Sequence, residues 1–105
     1  MDMQQKASEV LALIKQSAPD VTFSLRADKG LHEFEADRGT VTHRICYSDD
    51  VFTQRDAHEL AMVAASLFSL LRSDPGPARV VVRAGMFDTM LKTLGGYSRF
   101  TAAQP

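Results

Sequence analysis

Residues 21–47 alternate apolar and polar side chains, and a segment with a period of two has few options besides a half-buried β-sheet. Val21, Phe23, Leu25 and Ala27 alternate with Thr22, Ser24, Arg26 and Asp28. Two stretches interrupt the pattern, Asp28-Lys29-Gly30-Leu31 and Asp37-Arg38-Gly39-Thr40, each with Gly after a basic residue. Glycine accepts the positive φ that a tight hairpin demands. A three-stranded antiparallel meander is therefore expected.

Two-residue loops at Lys29-Gly30 and Arg38-Gly39 give a self-consistent register. The first hairpin then sets Phe23 against Ala36, Leu25 against Phe34 and Ala27 against His32. The second sets Ala36 against Val41, Phe34 against His43 and His32 against Ile45. The opposite face carries a cross-strand charged row of Arg26, Glu33 and Arg44, with Glu35 between Ser24 and Thr42. A bulged three-residue first turn would oppose Leu25 to Glu33 and Phe23 to Glu35, which face matching disfavours.

Ahead of the meander, Met3, Ala7, Val10, Leu11, Ile14 and Ala18 make one helical stripe that Pro19 closes. Beyond it, a helix over 54–72 is expected, capped by Thr53, with a core stripe of Ala57, Leu60, Ala61, Ala64, Leu67, Phe68 and Leu71. Asp74-Pro75-Gly76-Pro77 ends that helix. Arg79 to Ala84 reads as a strand, and Met86, Phe87, Met90, Leu91 and Leu94 as a short helix stopped by Gly95-Gly96. Tyr97 to Thr101 reads as a last strand, with 102–105 a frayed tail. The expectation is one α+β domain over residues 1–105, in the order α-β-β-β-α-β-α-β, with the antiparallel meander packed on helices. A length of 105 residues suits a single domain with its own core.

Net charge is −1, so bulk charge selects no partner. Residues 1–71 carry a net −4 and residues 72–105 a net +3, through Arg72, Arg79, Arg83, Lys92 and Arg99 against Asp74 and Asp88. Charge of this kind steers association without identifying a ligand. The single cysteine, Cys46, excludes an intrachain disulfide and fits a reducing compartment. The first six residues show no basic start with an apolar stretch behind it, so no signal peptide is expected. The longest uncharged apolar run, Leu60 to Leu71, is twelve residues and too short for a bilayer span. The expected location is cytoplasmic, with no membrane partner.

Several residues could carry chemistry, and each has a plainer reading. His32 and His43, placed diagonally on the inner face, could begin a metal site, but zinc needs three or four ligands and no third is at hand. Cys46 could be a nucleophile, yet a neighbouring Glu33 opposes the thiolate. Glu33 and Glu35 resemble a catalytic carboxylate pair, but Arg26 and Arg44 nearby would keep both ionised. Gly85 before the short helix, with Arg79, Arg83 and Arg99, could form an anion or partner surface, although solvated strand edges carry such charges routinely. No nucleophile, base and orienter occur together, and no cofactor, metal or catalytic residue is assigned.

The α-β-β-β-α order resembles two families in topology alone. The double-stranded RNA-binding domain begins its second helix with lysines near an alanine-rich stretch. The corresponding start here is Gln54-Arg55-Asp56-Ala57-His58-Glu59, with one arginine and two acids, which departs where RNA backbone contact would occur. The YbaB-like nucleoid-associated fold, a dimer of helix, three strands and helix, is similar over Val41 to Leu71 without a shared motif. No residue role transfers from either.

The leading functional expectation is a non-catalytic protein–protein interaction module, an adaptor, regulator or inhibitor of a kind mobile elements carry. It is expected to pair with itself and with another protein. The 54–72 helix is apolar nearly all round, and Met62, Val63 and Leu70 outside its core stripe are the candidate homodimer contacts. The alternative is a nucleic-acid-binding module using the basic carboxy-terminal third, although nucleic acid is not the expected partner. A small-molecule enzyme comes third.

Overall fold

The computed structural model describes residues 2–103, with the backbone alone for Asp28 and residues 94–103. It contains α1 (Met3–Ser17), β1 (Thr22–Asp28), β2 (Leu31–Asp37), β3 (Thr42–Ser48), α2 (Asp49–Gln54), α3 (Ala57–Leu71), β4 (Ala78–Val82) and α4 (Ala84–Ala103). The strands form one sheet in the order β1-β2-β3-β4. The first three make the antiparallel meander, and β4 joins β3 in parallel. The α+β class and the meander packed on helices are as expected.

Helix α1 starts on a capping box. Asp2 Oδ1 accepts from the Gln5 amide at 2.8 Å, and Gln5 Oε1 accepts from the Asp2 amide at 3.3 Å. Its buried stripe is Ala7, Val10 and Ile14. The first hairpin turns through Lys29 at φ 43° and Gly30 at φ 80°, so its two-residue loop has both residues at positive φ. Its register is the expected one, with Phe23 against Ala36, Leu25 against Phe34 and Arg26 against Glu33.

The second hairpin differs. Asp37 pairs with Thr42, so the loop is Arg38-Gly39-Thr40-Val41 and every partner moves by two residues. Ala36 faces His43, Phe34 faces Ile45, His32 faces Tyr47, and Glu35 faces Arg44. A two-residue loop would force Arg38 to positive φ, whereas here only Gly39, at 88°, takes it. The longer loop also lets Arg38 Nη2 reach the Phe68 carbonyl at 2.9 Å, satisfying a carbonyl near the end of α3.

A short helix absent from the sequence reading, α2, buries Val51 and Phe52. It displaces the expected cap: Thr53 Oγ1 donates to the Asp49 carbonyl at 2.9 Å inside α2. The cap of α3 is Asp56, whose carboxylate accepts from the Glu59 amide at 2.8 Å. Helix α3 packs between α1 and α4, so a wide arc of it is buried, Val63 included. Tyr47 on β3 donates to the Leu60 carbonyl of α3 at 2.6 Å, tying sheet to helix layer. The run 97–101, expected as a strand, lies within α4, and Gly95-Gly96 does not end that helix. Of the expected tail, residues 102 and 103 also belong to α4, while 104–105 lie outside the described residues.

The helices cover one face of the sheet. Phe23, Phe34, Ala36, Ile45, Tyr47 and Val82 point into a core completed by residues of all four helices. Val63→Asp should abolish the cooperative thermal transition, because it buries an unpaired charge. Leu70→Asp, at a residue 62% exposed, should change stability by no more than about 0.5 kcal/mol. Circular dichroism melts check both; a folded Val63→Asp protein would remove α3 from the core.

Candidate functional site

Strand alternation sends every second side chain away from the helices. On that uncovered face Arg26, Glu33 and Cys46 lie side by side across β1–β3, and Glu35, Arg44 and Arg79 lie side by side across β2–β4. Glu33 is the hub. Its Oε1 accepts from Arg79 Nε at 3.3 Å and from the Cys46 thiol at 3.3 Å. Its Oε2 lies 4.0 Å from Arg44 Nε, which also donates to Glu35 Oε2 at 3.3 Å.

The expected charged row is thus rearranged. Arg26 faces Glu33 in register but makes no ion pair among the described side chains, while Arg79, on a strand from another part of the chain, takes its place. The two-residue shift in β3 moves Arg44 opposite Glu35. Nothing in the sequence states which edge β4 joins. The one available signal is that two strands separated by a helical stretch pair in parallel through a crossover.

Burial alone would raise the Glu33 carboxyl, but the Cys46 thiol, Arg79 and Arg44 outweigh it and hold the group below its ordinary 4.5. Cys46 moves the other way. Burial, then the bond to Glu33 and its charge, push the thiol up from 9.0 to about 11. A thiol raised in this way stays protonated at neutral pH, the form that donates to Glu33.

The remaining candidates do not converge. His32 Nε2 pairs with Asp49 Oδ1 at 3.0 Å and its ring stacks on Phe52, with centroids 4.0 Å apart. His43 is fully buried and donates from Nε2 to the Gly76 carbonyl at 3.1 Å, leaving Nδ1 without a partner among the described residues. His32 faces Tyr47, whereas His43 faces Ala36, four residues further along β2, so the two histidines are separated by about 13 Å along the strand direction and share no ligand among the described residues. No group of three or more His, Cys, Asp or Glu among the described residues could hold a metal ion.

Arg79 is engaged with Glu33, and Arg83, which lies near Asp50, is beyond the opposite end of β4. The Arg99 side chain lies outside the described residues. Arg79 and Arg83 thus stand at the two ends of β4. A shallow recess of about 510 Å³ beside α1 is lined by Lys6, Glu9, Thr53, Asp56 and His58. Lys6 is engaged there with the Arg55 carbonyl, and Asp56 caps α3.

The expected homodimer contacts also separate. Val63 belongs to the intrachain core, Met62 is half-buried, and Leu70 is exposed. Leu70 lies at the end of α3 where Arg38 docks, while the other large exposed hydrophobic among the described residues, Met86, follows the opposite end of β4. Among the described side chains, these two are the large hydrophobics left exposed. No helix among the described residues is long and apolar enough to cross a membrane. No protein-family model, curated protein or solved structure matches the chain.

Two outcomes follow for the hub. Native protein at neutral pH should react with iodoacetamide at least a hundredfold more slowly than urea-unfolded protein, read by mass; equal rates would contradict a buried thiol. A carboxyl depressed in the folded state adds stability above its ordinary 4.5, and that stability is lost as pH falls through the lower folded value. Wild-type urea midpoints should thus fall more steeply below pH 4.5 than those of Glu33→Gln. Parallel pH profiles would remove Glu33 from the hub.

Proposed function

We propose that this chain is a non-catalytic protein-interaction module that binds through the uncovered face of its sheet. The observation that carries the reading is the one-sided placement of the helices. It leaves a charged surface whose arginines are only partly used by its own carboxylates. Arg44 and Arg79 remain 37% and 46% exposed, whereas Glu33 is 8% exposed. Hydrogen-bonding groups spread over an open sheet face suit another protein's surface better than a small molecule, which a concave site would enclose.

Nucleic acid fits this face poorly. Single-stranded RNA bound on an open sheet stacks on aromatic side chains, and the described side chains of this face include none. Glu33 and Glu35 also stand among the arginines and would repel phosphates. Duplex DNA and RNA should bind more weakly than micromolar at about 0.15 M salt.

Quantitative affinity purification from the source cells tests the reading, with nuclease-treated extract and three baits. Wild type and Leu70→Asp should retain the same protein. Arg26→Glu with Arg44→Glu, folded by circular dichroism, should lose at least nine-tenths of it. Retention by the double variant, or loss of the partner with nuclease alone, would contradict the proposal.

A further inference from the structure

We propose that the free edge of β4 accepts an extended peptide from the partner protein as a fifth strand, with acidic and apolar residues alternating along it. This inference rests on the protein-binding reading and names where and what the module binds.

The first ground is the edge itself. Strand β4 is last in the sheet and pairs on one side only, with β3. Among the described residues, no element other than β3 packs extensively along it. Its sequence, Ala-Arg-Val-Val-Val, is rich in β-branched residues and contains no proline or bulge to blunt pairing. Unpaired amides and carbonyls on such an edge are the donors and acceptors that strand addition uses. The other edge strand, β1, has α1 packed against it.

The second ground is the order of charge across the uncovered face. Strand by strand it runs basic at Arg26, acidic at Glu33 and Glu35, then basic at Arg44 and Arg79. Arg44 and Arg79 stand directly opposite each other, a like-charge pair that Glu33 and Glu35 hold from one side. Arg79 reaches inward to Glu33 with 46% of its side chain exposed, and a carboxylate on a strand beyond β4 would compete with Glu33 for its guanidinium. Arg83, just past the strand end, offers a second cation.

The helix-facing side asks for the opposite chemistry. Val80 packs against the core but is only half-buried. An apolar residue beside it would extend the core by one strand. A second copy of the chain fits less well: antiparallel pairing of two β4 strands about Val81 would oppose Arg79 to Arg83, and pairing about Val80 would set the two Arg79 residues diagonally.

The test uses the isotope-labelled full chain and three capped peptides: EVEVEVE, its composition-matched block EEEEVVV, and KVKVKVK. With EVEVEVE, amides of Ala78–Val82 should shift, and those facing outward should exchange with solvent at least tenfold more slowly. EEEEVVV and KVKVKVK should bind at least tenfold more weakly. Arg79→Glu with Arg83→Glu should invert the preference towards KVKVKVK; Arg83→Glu alone, which breaks no ion pair within 4 Å, should weaken EVEVEVE at least threefold. Equal binding of EVEVEVE and EEEEVVV, shifts confined to β1, or no shift at all would overturn the proposal. So would slowed exchange at β4 that grows with protein concentration in the absence of peptide, which would assign the edge to a second copy. If the peptide fails while the Arg26 and Arg44 variants still lose their partner, the face binds and the added strand is wrong. If those variants keep their partner, the face itself is not the binding surface.

Discussion

All four helices lie on one side of a four-stranded sheet, and the rest of the structure follows from that asymmetry. Because side chains alternate along a strand, one set must form the core and the other must live without helical cover. Phe34, Ile45 and Tyr47 lose all exposure against the helices. Glu33 and Cys46, on the uncovered side, are almost as inaccessible, at 6% and 0%. Their burial comes from central position in the sheet and from long arginine side chains laid beside them. A polar pair so enclosed must be satisfied internally, and the thiol–carboxylate–guanidinium arrangement does this.

The crossover through α2 and α3 is what completes that arrangement. It brings β4 back parallel to β3 and delivers Arg79 to a carboxylate forty-six residues earlier in the chain. The same crossover wedges α3 between α1 and α4, which turns a helix apolar nearly all round into a buried one. Much of the apolar surface of α3 is thereby buried within the chain, with Leu70 left exposed.

Legibility in the sequence tracks how local the deciding force is. The β1–β2 register could be read because Gly30 fixes the turn and a one-residue slip would invert the faces. The β2–β3 register could be read only modulo two, since a shift of two residues preserves both faces. Contacts from distant parts of the chain accompany the observed choice: Arg38 with the Phe68 carbonyl, and His43 with the Gly76 carbonyl. Helix α2 is six residues long, too short to display a period. Gly95-Gly96 costs about 1 kcal/mol per glycine relative to alanine inside a helix, a penalty and not a prohibition, so α4 runs past it. At the candidate site, the sequence places Arg26, Glu33, Glu35, Arg44 and Cys46 on one face. Arg79 was legible only as a basic strand residue, because its partner depends on sheet order.

The central claim is that one face of the sheet is open to solvent in the free protein, and methyl relaxation by a soluble gadolinium chelate tests it most directly. Leu31, Thr42 and Val81 project on the uncovered face, while Ile45, Val63 and Val82 lie in the core. Methyl signals of the first three should relax at least several-fold faster than those of the second three, at every protein concentration measured. Equal protection of the two sets would show that the face is covered, and the account built on it would fail.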